Sequence, residues 1–167
     1  MKTFIFTAFF SFWMGISIFT FAQKIPTAPK PIRFVNDYVG LLSKSEIREL
    51  EMKLSDYADS TSSEVVIVII DTLQGYSIEN FSLKLARSWG IGQSDKDNGI
   101  LILMAVKDRS IRIEVGLGIE AYISDEKTKE VIENEIIPYF KKGEFYIGLD
   151  ISTTQLIELL KGVFTEK

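Results

Sequence analysis

The chain has no histidine and no cysteine in its 167 residues. Those two absences remove Ser-His-Asp and Cys-His nucleophilic catalysis, and with them zinc sites built on imidazole or thiolate. Any chemistry must run on carboxylates, hydroxyls, Lys or Arg, or on a metal held by oxygen. No disulfide can form and no thiol can carry a lipid, so the fold rests on its core alone, which this length allows. A basic excess is also missing: 19 Lys and Arg stand against 23 Asp and Glu, a formal net charge of −4. That balance argues against nucleic acid as the main partner, because phosphate binding needs a concentrated basic surface. Proline is scarce, and three of the four residues fall in one short stretch, at Pro26, Pro29 and Pro31.

What is present begins with an address. Lys2 is followed by the uncharged apolar run Phe4 to Phe21, and Thr20-Phe21-Ala22 has the pattern read by a signal peptidase. Residues 1–22 therefore read as a signal peptide cleaved before Gln23, which predicts a periplasmic or secreted protein. No later run is long and apolar enough to cross a bilayer, so no membrane span is expected in the mature chain. Residues 23–32 read as a flexible leader and residues 33–167 as a single domain.

Arg33 to Leu42 reads as an ordered approach segment. Ser43 with Glu46 three residues on is a capping box, and Ile47, Leu50, Leu54 and Tyr57 give an amphipathic helix to about Asp59. Val65 to Ile70 is wholly β-branched, the mark of a strand buried on both faces. Ser77 caps a second helix with the stripe Ile78, Phe81, Leu85 and Trp89, and Gly90 stops it. Ile100 to Val106 is a second buried strand, reached by a right-handed parallel crossover. After a tight turn at 107–110, Ile111, Ile113 and Val115 alternate with Arg112 and Glu114, predicting an antiparallel strand with one wet face. Ser124 caps a third helix that Pro138 interrupts, and Phe145, Leu149, Leu156, Leu160 and Val163 mark a last one. The expected architecture is α/β, a three-layer α/β/α sandwich with a small mixed sheet.

This topology sorts the polar groups. Asp71, Asp108 and Arg109 fall at one end of the sheet. Trp89 to Gly99 and Gly116 to Glu120 fall at the other, where the third helix begins. Asp95, Asp97, Asn98 and Glu120 can then converge as oxygen ligands for a hard divalent cation, calcium first and magnesium second. Asp95-x-Asp97-Asn98-Gly99 is like the opening of an EF-hand loop but lacks its length, closing glutamate and flanking helices. The plainer alternative is a solvated Asn-Gly turn ahead of a strand. Gly116-x-Gly118 could approach a phosphate, although it lacks the strand-to-helix setting of a dinucleotide fingerprint. Trp89 is most simply core and Asp108-Arg109 a solvated turn. Asp37 has no assigned end.

Several segments in order resemble the TPM domain family: Val35-Asn36-Asp37, Leu41-Leu42-Ser43, Trp89-Gly90-Ile91-Gly92, Asp97-Asn98-Gly99-Ile100-Leu101, Asp108-Arg109, Arg112 to Glu120, and Ile137-Pro138-Tyr139-Phe140. The resemblance implies an exported α/β/α sandwich, a phosphatase-like activity and a divalent metal nearby. Two functions follow as expectations. One is metal-assisted phosphomonoester hydrolysis, with the cation on Asp95, Asp97, Asn98 and Glu120 and with Asp37 or Asp97 orienting water. The other is a non-catalytic envelope module whose loop calcium rigidifies and to which an envelope protein docks. The missing histidine leans towards the second, since histidine is the commonest acid–base group near neutrality.

Overall fold

The two wholly apolar runs become adjacent central strands. A computed structural model describes residues 25–31, 33–161 and 163, so the expected signal peptide lies outside the described residues. Strands β1 (Val35–Asp37), β2 (Glu64–Ile70), β3 (Gly99–Ala105) and β4 (Ser110–Val115) form one sheet in the order β1-β2-β3-β4. The first three run parallel and β4 is antiparallel to β3. The segment expected only as an approach contains a strand, since three residues show no periodicity and are fixed by pairing with Ile67 to Ile69. Glu51 holds its entry, accepting from the backbone N–H groups of Phe34 (2.9 Å) and Val35 (2.7 Å).

The helices are α1 (Lys44–Thr61), α2 (Ile78–Trp89), α3 (Asp125–Val131), α4 (Ile137–Phe140) and α5 (Phe145–Leu159). Ser43, Ser77 and Ser124 cap α1, α2 and α3 by accepting from the third N–H, and Gly90 ends α2 at φ 65. In the capping box Ser43 N–H also donates to Glu46 Oε2 at 2.6 Å, and these bonds to Ser43 hold the Glu46 carboxyl below its usual range. A π-helical turn, Ile132–Ile136, joins α3 to α4. It admits Pro138 into the first turn of α4, where the missing N–H costs little.

Strand alternation divides the core in two. Val66, Val68, Leu101 and Leu103 pack against Phe81, Leu85 and Trp89 of α2. Val65, Ile67, Ile69, Ile100 and Ile102 pack against α1, α5 and the α3–α4 run through Leu50, Leu54, Leu149, Leu156, Val131 and Ile136. Helices thus cover both faces, one on one side and the rest on the other, giving the α/β/α sandwich. Each fully buried aliphatic side chain contributes roughly 1.5–3 kcal/mol of transfer free energy. Residues 25–31, expected as a flexible leader, lie along α2: Ile25 and Ala28 pack on its cluster, and Trp89 Nε1 donates to the Pro26 carbonyl at 2.8 Å.

Candidate functional site

The loop from Ile91 to Asn98 and the segment after β4 touch backbone to backbone, and glycine makes this contact possible. A Cβ on Gly116 would overlap the Asp97 carbonyl oxygen, and one on Gly118 would overlap that of Lys96. Gly92 and Gly99 meet each other in the same way. The seam is hydrogen-bonded: Gly116 N–H donates to Gly99 O (2.8 Å) and Gly118 N–H to Asp97 O (3.0 Å). Gly116-x-Gly118 therefore approaches its own chain.

Asn98 anchors this loop from inside. Its side chain is buried. Oδ1 accepts from Gln93 N–H (2.8 Å), while Nδ2 donates to Ser62 O (3.2 Å) and Ser63 Oγ (3.3 Å). The amide expected to face a cation is engaged in tying the loop to the end of α1. Glu64 adds a second tie, its Oε2 accepting from Gly92 N–H at 2.9 Å.

What the loop presents outward is Asp97. It is exposed, with φ 45, a left-handed conformation that Asp tolerates better than most residues. Asp97 lines a cleft of about 410 Å³ together with Glu114, Glu120, Arg87 and the glycine seam. A second cleft of about 450 Å³ adjoins it and shares Glu114 and Glu120, adding Arg112, Asp125 and Glu126. The Glu126 carboxyl is held below its usual range by a hydrogen bond from its own backbone N–H and by one from Ser124. Glu114 belongs to the face of β4 expected to be wet. It is instead turned towards α2, accepting from the buried Ser82 hydroxyl (2.8 Å) and from Arg112 Nε (2.7 Å).

Asp97 and Glu120 thus share one cleft, as their loops' convergence requires. Asp95 is exposed on the same loop without lining it. Asp37 lies at the other end of the sheet, where β1 finishes beside Ile69. Its carboxylate accepts from the N–H groups of Val39 (3.1 Å), Gly40 (2.9 Å) and Leu42 (2.8 Å), which makes it a turn-former. Asp108 is at that end too, accepting from Leu73 N–H at 2.8 Å. Among the described residues no group of three or more carboxylates is placed to hold a metal ion. The carboxylates present do not make a closed cage of the kind a fully protein-bound calcium needs.

Nothing local in the sequence marks Arg87 or Glu114 as cleft residues. Arg87 lies one helical turn beyond Leu83, so both point to the cleft side of α2. For Glu114 the usable signal was the pairing of two charged positions on β4 with a helix that must cover the same face.

Solved structures of other proteins share this fold. The N-terminal domain of a protein from P. gingivalis superposes with a TM-score of 0.73 at 28% identity, covering 85% of this chain and 96% of that one. The BA42 protein of the psychrophile Bizionia argentinensis gives a TM-score of 0.67 at 22% identity, with 78% and 89% covered. An N-terminal domain from Corynebacterium glutamicum gives 0.58 at 16% identity, with 98% and 88% covered. The last two likenesses speak for the fold alone. No curated protein matches the chain. The sequence profile of the TPM domain matches residues 35–159, which is most of the chain. The chain belongs to the TPM domain family.

Proposed function

We propose that this protein is an exported domain that binds a divalent cation, calcium or magnesium, in the cleft between Asp97 and Glu120. The observation that carries this reading is the presentation of Asp97 at φ 45 on a glycine-locked loop, in one cleft with Glu120. Strained, rigidly supported conformations of this kind cluster at ligand sites. Two carboxylates leave most of a cation's coordination to water and to ligand oxygens, the usual pattern for magnesium with phosphate. A bound cation would supply positive charge to a phosphoryl oxygen. Arg87, on the wall of the same cleft, offers planar donors suited to phosphate oxygens. With no imidazole available, the proton for a leaving oxygen would have to come from a carboxyl group other than the two that hold the cation, or from water. Carboxyl groups ordinarily titrate near ~4, so phosphatase activity would be favoured on the acid side of neutrality.

The non-catalytic reading has its own support. Asp37, the other carboxylate expected to orient water, stands at the opposite end of the sheet with its oxygens bound to three backbone N–H groups. An envelope module that uses the cation only to stiffen the loop needs no such group.

A calcium and magnesium titration read by thermal melting tests the site. An ion bound only by the folded state adds about 2.7 kcal/mol at a hundredfold excess over Kd. Asp97→Asn and Glu120→Gln should each remove most of the shift. Lys107→Ala should leave it intact, since that side chain is exposed at the far end and pairs with Asp71. No shift with either ion would end the proposal. Aryl phosphate turnover in the same samples, lost on chelation, separates the enzyme from the binding module.

A further inference from the structure

A cleft larger than the two around Glu120 lies at the other end and on the other face of the sheet. It encloses about 710 Å³ beside the β3–β4 hairpin, α4 and the start of α5. Its apolar wall comes from Met104, Val106, Ile111, Ile137, Phe140 and Phe145. All but Met104 are only half-buried, so the core cluster reaches the surface here. Phe140 and Phe145 stand edge to face with ring centres 5.0 Å apart, and Gly148 lets them in, since a Cβ there would lie 3.0 Å from the Phe140 ring. A volume in the range of small-molecule sites and a wall of this kind suit an apolar tail.

The charged residues of this cleft, Arg109 and Lys141, are both cationic. In a chain of net charge −4 that is against the trend, and the cleft around Asp97 has the reverse balance, three carboxylates to one Arg. Among the described residues neither Arg109 nor Lys141 enters an ion pair. Arg109 also adopts φ 51 in the hairpin, a position glycine would fill without strain. An arginine there costs stability and adds a charge at the cleft mouth.

We propose that this cleft binds an acid of fatty-acid type, its carboxylate held between Arg109 and Lys141 and its tail against Phe140, Phe145 and Ile111. Charge complementarity and the apolar wall together select an amphiphile with one anionic end. Guanidinium and ammonium are both suited to a carboxylate, the first in bidentate geometry. The site is independent of the cation cleft.

Decanoate is the probe, titrated below its micelle concentration into the isotope-labelled protein and followed by amide shifts and calorimetry. Saturable binding is expected, with shifts concentrated in 104–111 and 137–148. Arg109→Gly and Lys141→Ala should each weaken it about tenfold. Arg109→Gly relieves the left-handed strain, so its loss of binding is read on a protein that melts no lower than the parent. Shortening the acid should cost up to about fourfold per methylene removed. Decanol binding as tightly as decanoate, unchanged affinity in both variants, or no saturation would each overturn the proposal. So would binding confined to a peptide with a C-terminal leucine, which would assign the cleft to a protein partner.

Discussion

A Cβ on Gly118 would fall well inside van der Waals contact of the carbonyl oxygen of Lys96, so no side chain can stand there. Gly118→Ala must push the Asp95–Asn98 loop off the segment after β4. Overpacking against backbone, which cannot rotate aside, should cost roughly 3 kcal/mol in urea unfolding. Gly143→Ala is the control. It has φ 78 with nothing near its Cβ position, so only the left-handed penalty of about 1 kcal/mol should appear. Similar losses in the two variants would mean that the seam does not hold the loop.

Asn98→Ala should destabilise by about 2–3 kcal/mol, because it strands the Gln93 N–H and the acceptors at Ser62 and Ser63 away from water. Asn98→Asp is the sharper test. It keeps the shape but turns a carboxylate oxygen towards the Ser62 carbonyl, in a buried place. Its loss should be greater at pH 7 than near pH 4, where protonation restores a donor. Were Asn98 a cation ligand, Asp in its place would instead raise calcium affinity.

These two residues show what could and could not be read from the chain. Caps at Ser43, Ser77, Ser124 and Gly90 are local chemistry, and the structure has them all. The runs at 65–70 and 100–105 carry their burial in their composition, and the crossover rule then fixes parallel pairing. Asn98 is different: a ligand amide and a buried anchoring amide are the same residue type in the same Asn-Gly context. Only the position of Ser62 and Ser63, more than thirty residues away, distinguishes them. Asp37 is alike in this, since its end of the sheet follows from a three-residue strand that pairing alone creates. Alternation alone makes the charges of β4 look solvated, because it reports two faces without saying which helix covers them.

Tyr146 donates its hydroxyl to Glu49 Oε2 at 2.7 Å, and that bond pushes the phenol up to about 12 from an ordinary 10.0. The folded state holds this proton more tightly than the unfolded chain does. The contribution to stability is therefore complete below pH 10.0 and is lost as pH rises through about 12. Beside Tyr38 and Tyr57, which burial also raises, ultraviolet titration of phenolate should show Tyr146 ionising late, and Glu49→Gln should bring that one down. If the late tyrosine persists in that variant, the hydrogen bond between α1 and α5 is not its cause.

The π-helical turn at Ile132–Ile136 holds one residue more than a regular turn would. Its consequence is evolutionary. The wider turn absorbs the surplus residue, so deleting a single codon there would restore an ordinary helix and leave what lies beyond it facing nearly the same way. Phe140 and Lys141 would keep their places beside the hairpin, and the glycine seam at the other end of the sheet would not be touched. Relatives that differ by one residue in this stretch should accordingly keep both the cleft beside the hairpin and the loop around Asp97.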